Sequence, residues 1–141
     1  MNLFSKLRQM KILLIDDDEW IRDSLGLYFE DEGCHLLALE TAEEGIEALK
    51  NQNYDIIMVD YRLPGMDGLE FFKRIRKTQP HALKVLITAY KSEEVVSGAL
   101  KMGIQDFIEK PFTTKTIEES LFRVIENHEQ EINEGHINHP E

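Results

Sequence analysis

The sequence predicts an α/β domain, a (βα)5 doubly wound parallel sheet of five strands. Five short apolar runs alternate with five segments of helical periodicity, the pattern of a parallel sheet with helices on both faces. The first, third and fourth runs are almost continuously apolar, as strands covered on both sides must be. At 141 residues the chain is one domain, and it can bury about two-thirds of its unfolded surface with no disulfide or metal staple.

The elements follow in order. The first run, Lys11–Ile15, precedes a helix from about Glu19 that buries Ile21, Leu25 and Phe29 and ends before Gly33. The second run, Cys34–Leu39, is poor in β-branched residues and is the weakest strand of the five. Thr41-x-x-Glu44 is a capping box ahead of Ile46 and Leu49. The third run is Tyr54–Val59, after which Asp67 opens a helix whose Leu69, Phe72 and Ile75 share one face. The fourth run, Leu83–Thr88, is followed by Ser92, by Val95, Val96, Ala99 and Leu100, and by Gly103 as the stop. The fifth run is Gln105–Glu109, and Thr113 or Thr114 caps a last helix with Ile117, Leu121, Val124 and Ile125 on one stripe.

Charge and composition narrow the function. Lys and Arg number 16 against 27 Asp and Glu, a net charge of −11, which is a poor footprint for direct nucleic-acid binding. No apolar run approaches the length of a bilayer span, and the N-terminus has no signal-peptide pattern. Cys34 stands alone and forms no internal disulfide. A cytoplasmic location is expected, without membrane contact.

In an open parallel sheet the ligand site lies beyond the carboxyl ends of the strands. That directs attention to residues 16–20, 60–68, 88–92 and 110–113. Asp16, Asp17, Asp18 and Glu19 follow the first run, Asp60 the third, Thr88 closes the fourth, and Lys110-Pro111 follows the fifth. A solvated helix start accounts for Asp18 and Glu19. It does not account for Asp16 and Asp17, which with Asp60 repel one another unless a cation sits among them. Magnesium takes oxygen ligands; Asp17 and Asp60 suit it directly and Asp16 through a coordinated water. Lys110 supplies a compact charge for a phosphoryl oxygen and Thr88 a neutral hydroxyl. This set is suited to phosphoryl transfer onto a carboxylate. A phosphohydrolase with an aspartyl-phosphate intermediate is an alternative, since Asp16 and Asp18 stand two residues apart, but it leaves Asp60 unexplained. A flavin site would suffer repulsion from the acidic loop.

With these residues in place the sequence resembles the receiver domain of bacterial two-component response regulators. The motifs are Ile15-Asp16-Asp17-Asp18, the stretch Val59-Asp60-Tyr61-Arg62-Leu63-Pro64-Gly65-Met66-Asp67-Gly68, Thr88-Ala89 and Lys110-Pro111-Phe112, in order and at matching spacing. The resemblance runs from about Met10 to His128, dividing the chain into an N-terminal extension (1–9), a receiver domain (10–128) and a polar C-terminal tail (129–141). It implies a flavodoxin-like strand order 2-1-3-4-5. It also implies that Asp60 accepts a phosphoryl group from a sensor histidine kinase or phosphotransfer protein. Asp16, Asp17, Asp60 and the Arg62 carbonyl would hold Mg2+, while Thr88 and Lys110 contact the phosphoryl group. Thr88 and Phe107 would act as a switch that remodels the face of the fourth helix, fifth strand and fifth helix, through which a homodimer could form. Such a domain catalyses only its own phosphorylation and dephosphorylation. The runner-up readings are the phosphohydrolase and a receiver-like binding module that is never phosphorylated. The resemblance also places Arg62 and Tyr90 beside the path of the hydrolytic water, where their bulk and lack of an acceptor predict a long-lived phosphoryl group.

Other features have plainer readings. Trp20 is expected at the exposed rim of the acidic loop and Cys34 as a small core residue. Phe107 reads equally as a plain core aromatic. Lys73, Arg74, Arg76 and Lys77 form a solvated face. Met1 to Arg8 are a short amphipathic lead-in or disorder. Glu134, His136 and His139 read as frayed polar tail rather than a metal tract.

Overall fold

The computed structural model describes residues 2–137, with side chains described to residue 133. Five parallel strands, β1 (Lys11–Ile15), β2 (His35–Leu39), β3 (Ile56–Asp60), β4 (Leu83–Thr88) and β5 (Asp106–Glu109), form one sheet in the order β2-β1-β3-β4-β5. A short helix, α1 (Leu3–Leu7), precedes the sheet. The five helices read from the sequence are therefore α2 (Glu19–Asp31), α3 (Ala42–Asn51), α4 (Gly68–Ile75), α5 (Glu93–Lys101) and α6 (Thr114–Ile137).

Strand alternation divides the core into two layers. Leu13, Ile15, Ile57, Val59 and Leu86 face α3, α4 and α5. Ile12, Leu14, Ile56, Met58, Val85, Ile87 and Ile108 face α1, α2 and α6. All of β3 and β4 is buried, which is why those runs are apolar on both faces rather than at alternate positions, apart from Lys84 and the polar strand ends Asp60 and Thr88. The helix starts use the expected caps. Asp18 accepts hydrogen bonds from the Trp20 and Ile21 amides, and Thr41 and Glu44 complete a capping box. Asp67 accepts from Glu70 N, and Ser92 accepts from Val95 N. At α6 the choice falls on Thr113, whose hydroxyl accepts from Thr116 N at 3.2 Å.

Four details depart from the periodicity. Cys34 precedes β2 instead of opening it, although it is buried as expected. Leu100 is 62% exposed, because α5 packs only its Val95 and Ala99 line and Leu100 lies one position further round. Ile21 is only half-buried, while Leu25 and Phe29 carry the α2 contact. On α4 the fully buried stripe is wider than expected: Phe71 joins Phe72 edge-to-face, ring centroids 5.6 Å apart, and Leu69 is half-buried.

The N-terminal residues form a helix. Leu7 is fully buried in the layer that holds α6, Phe4 meets Tyr28 edge-on, and Lys6 pairs with Glu129. α6 carries on to Ile137, through most of the stretch read as a polar tail. Of the Glu134, His136 and His139 tract, the side chains lie outside the described residues.

The start of α4 sets the position of the end of β3. Gly68 N donates to Tyr61 O at 2.8 Å, and a Cβ at Gly68 would lie 2.6 Å from Asp60 O and 3.0 Å from Tyr61 Cα. Both obstacles are backbone and neither can rotate away. Gly68→Ala should therefore cost about 1–3 kcal/mol of unfolding free energy. Gly26→Ala, on an open face of α2 with nothing within 4 Å of the new Cβ, should be neutral or gain up to about 1 kcal/mol. Urea denaturation of the two variants checks the contrast, and equal stabilities would refute the close-approach argument.

Candidate functional site

The strand order makes β1 and β3 neighbours, with Ile15 opposite Val59, so Asp16 and Asp60 emerge side by side. Asp16 is fully buried, Asp60 and Thr88 nearly so, and Asp17 is exposed beside them. One carboxylate oxygen from each of Asp16, Asp17 and Asp60 falls within 4.8 Å of the others. Lys110, carried past the end of β5 and followed by a cis peptide bond to Pro111, reaches back across the cluster. Its Nζ lies 3.0 Å from both Asp16 Oδ2 and Asp60 Oδ2.

The hydrogen bonding is incomplete in an informative way. Asp16 Oδ1 accepts from Asp18 N at 2.9 Å, and Arg22 donates to the Asp16 carbonyl at 2.9 Å. Lys110 donates to Asp60 Oδ2, and its ammonium lies equally close to Asp16 Oδ2, a buried oxygen with no donor besides this shared charge. An oxygen so placed, with two further carboxylates in reach, is suited to a hard divalent cation. The donor set fits that use.

Burial pushes the Asp16 carboxyl up to about 6; the Asp18 amide opposes this, Asp60 adds to it, and Lys110 opposes it again. Burial also works against the Lys110 ammonium. The hydrogen bonds and charges of Asp60 and Asp16 outweigh burial there and hold it above the usual lysine value.

The remaining residues take distinct places. The Arg62 side chain is exposed and its amide approaches Asp60 Oδ1 at 3.4 Å. Thr88 turns its hydroxyl to the Tyr90 backbone, donating to Tyr90 O at 3.1 Å and accepting from Tyr90 N at 3.2 Å. Tyr90 itself is 75% exposed. Both side chains, expected to shield the phosphoryl group, are exposed to solvent. Phe107 is half-buried, with Lys91 Nζ 5.2 Å from its ring centroid. Trp20, 77% exposed, stands at the rim as expected. It borders a groove of about 580 Å³ shared with Ile21, Ala89, Pro111 and Phe112. Asp18 spends its carboxylate on the α2 cap, so the Asp16–Asp18 pair required by a phosphohydrolase does not face the site. The contacts of Arg22, Lys91 and the Tyr90 backbone leave no signal in the sequence. Arg22 sits one helical turn past the Asp18 cap, and no sequence pattern marks a long cation that folds back onto a carbonyl.

Comparison with known proteins agrees with this geometry. The response regulator receiver domain family matches residues 12–122. The cyclic di-GMP phosphodiesterase of Thermotoga maritima is 30% identical over 118 residues, 84% of this chain and 32% of that protein. Chemotaxis protein CheY-3 of Vibrio cholerae is 32% identical over 124 residues, 84% of this chain and 94% of that protein. The crystal structure of a CheY-like receiver domain protein from Methanospirillum hungatei superposes with a TM-score of 0.74 at 30% identity, covering 84% of this chain and 98% of that one. The chain belongs to the receiver domains of two-component response regulators. It spans about a third of the Thermotoga protein, whose phosphodiesterase activity is that protein's own. No described helix is long and apolar enough to cross a membrane.

The elevated Asp16 sets a pH dependence. The unfolded chain ionises this group near 3.8, while the folded, metal-free chain keeps it protonated up to about 6. Between those values the folded state binds more protons, so the contribution of Asp16 is fully present below 3.8 and is lost as pH rises through about 6. The loss is at most roughly 3 kcal/mol. Unfolding free energies of chelator-treated wild type and Asp16→Asn should diverge across this window, wild type declining relative to the variant. A divalent cation added above pH 6 should recover part of the loss in wild type alone. Parallel pH profiles would refute the assignment.

Proposed function

We propose that Asp60 accepts a phosphoryl group from a phosphohistidine of a partner kinase or phosphotransfer protein, with Mg2+ held by Asp16, Asp17, Asp60 and the Arg62 carbonyl. The observation that carries this reading is the Lys110 ammonium 3.0 Å from two carboxylates whose oxygens, with Asp17, lie within cation reach of one another. An Asp60 oxygen attacks phosphorus, the bond from phosphorus to the histidine nitrogen breaks, and its electron pair returns to the imidazole. The bound cation would neutralise charge on the transferring group. Lys110 is placed to move from the carboxylates to a phosphoryl oxygen, and the Thr88 hydroxyl to turn from Tyr90 to another. The buried floor of the site keeps the nucleophile away from bulk water. The groove beside Trp20 and Phe112, apolar and next to Lys110, supports docking of the partner that carries the histidine. Movement of Thr88 opens space beside Phe107, so phosphorylation would shift the population of states on the face of α5, β5 and α6, where an output partner or a second copy would bind.

Incubation with Mg2+ and acetyl phosphate should add one phosphoryl group by mass, and Asp60→Asn should abolish it. Trp20 fluorescence should respond saturably to Mg2+, with a weaker response in Asp17→Asn. Wild type that stays unmodified with both a small donor and a cognate kinase would leave a constitutive binding module as the function.

The chemistry of two side chains bears on the phosphoryl lifetime. Neither Arg62 nor Tyr90 carries a carboxylate or amide that could orient an attacking water. Phosphorylated wild type should therefore lose phosphate several-fold more slowly than Arg62→Asn/Tyr90→Glu. Equal autodephosphorylation rates would refute the argument.

A further inference from the structure

The loop from β4 to α5 connects two groups that a switch would need to move together. Thr88 bonds both to the carbonyl and to the amide of Tyr90, and the next residue, Lys91, places its ammonium 5.2 Å from the centroid of the Phe107 ring. Phe107 belongs to β5, beside β4 in the sheet, with Leu86 opposite it, and it packs against the α3–α5 core layer. Lys91 forms no ion pair among the described residues, although Glu93 and Glu94 follow it closely in the chain. Its nearest described partner is therefore an aromatic face, not a carboxylate. The arrangement is a chain of contacts: Thr88 hydroxyl, Tyr90 backbone, Lys91 side chain, Phe107 ring.

We propose that Lys91 is a positioning residue, a cation–π latch that holds Phe107 in its resting position and ties release of that ring to rotation of Thr88. This rests on the reading of Thr88 and Phe107 as a switch. When the Thr88 hydroxyl leaves Tyr90 for a phosphoryl oxygen, both bonds that fix the loop are given up together. The loop that carries Lys91 is then free to shift, the ammonium loses its place over the ring, and Phe107 can occupy the space Thr88 has left. Before phosphorylation the latch favours the resting state. A cation over an exposed aromatic face shifts such an equilibrium by about two- to five-fold. The device is graded: it biases the population without locking it. Lys91→Met keeps an unbranched apolar stem but loses the charge, and Lys91→Arg keeps the charge.

The test is fluorine NMR of protein labelled with fluorophenylalanine, Phe107 being assigned from a Phe107→Leu sample. In unphosphorylated protein, Lys91→Met should raise the minor population of the Phe107 signal about two- to five-fold, while Lys91→Arg should restore the wild-type ratio. The rate of phosphorylation by acetyl phosphate should rise by the same factor in Lys91→Met and not in Lys91→Arg. Identical Phe107 populations in wild type and Lys91→Met would overturn the latch, and so would a rise in Lys91→Arg equal to that in Lys91→Met. Failure of the wild type to take up phosphate would instead count against the function proposed for Asp60, and the NMR comparison would still decide the latch.

Discussion

Three carboxylates and one ammonium at the carboxyl edge of the sheet set the terms for the rest of the molecule. Asp16, Asp17 and Asp60 would separate if they were free, and Lys110, 3.0 Å from two of them, is what the folded chain supplies against that repulsion. None of these residues is near another in sequence except the Asp16–Asp17 pair. Their meeting depends on the strand order. β1 and β3 are adjacent although β2 lies between them in the chain, and β5 delivers Lys110 from two strands away. A sheet in simple sequential order would separate Asp16 from Asp60 by a strand. The crossover that brings them together is the physical origin of the site.

The helices serve the same edge. α2, α3, α4 and α5 all begin near it, and all begin with an oxygen-bearing cap followed by acid: Asp18 and Glu19, Thr41 with Glu43 and Glu44, Asp67 and Glu70, Ser92 with Glu93 and Glu94. Their last turns on the α3–α5 side carry Lys50, Lys73, Arg74 and Lys101. This is the charge placement that complements the helix dipole. It also explains much of the acidity at the site end without any ligand. The helix starts account for acids that cap or lie in first turns, and they leave over Asp16, Asp17 and Asp60. That remainder is what chemistry has to explain.

This separation is also why so much of the site was legible in the sequence. A polar residue that ends an apolar run has no packing reason to be there, so Asp16, Asp60, Thr88 and Lys110 stood out against β1, β3, β4 and β5. The strand layers and the α6 stripe were legible for a related reason, since burial on one or two faces imposes a period of its own. Contacts that depend on the path of a long side chain left no such mark. Arg22 folding onto the Asp16 carbonyl, Lys6 reaching Glu129 and Lys91 lying over Phe107 all join groups whose spacing in the chain carries no period. Leu100 and Phe71 show the limit of periodicity itself. A helical stripe predicts which side faces inward, and the width of the facing surface decides how many residues it covers.

Lys84 provides the contrast that gives the acidic cluster its meaning. It is the other buried charge of the sheet, only 4% exposed, in a strand otherwise composed of apolar residues and Thr88. It has no acidic partner among the described residues, and burial lowers its pKa. Yet its ammonium is satisfied: it donates to the Gln79 carbonyl at 2.9 Å and lies 3.5 Å from that of Ala82, tying the segment between α4 and β4 to the sheet. A charge buried to hold a fold together is met by fixed backbone groups, because an unmet one costs stability and returns nothing. The acidic cluster is built the opposite way. Asp16 Oδ2 and Asp60 Oδ2 share a single ammonium, and Thr88 turns its hydroxyl to its own loop. Each shared or borrowed interaction there leaves a group that an incoming cation or phosphoryl oxygen could engage. The lysine is met by fixed backbone carbonyls, whereas the buried acids at the edge of the sheet rest on one mobile, shared ammonium.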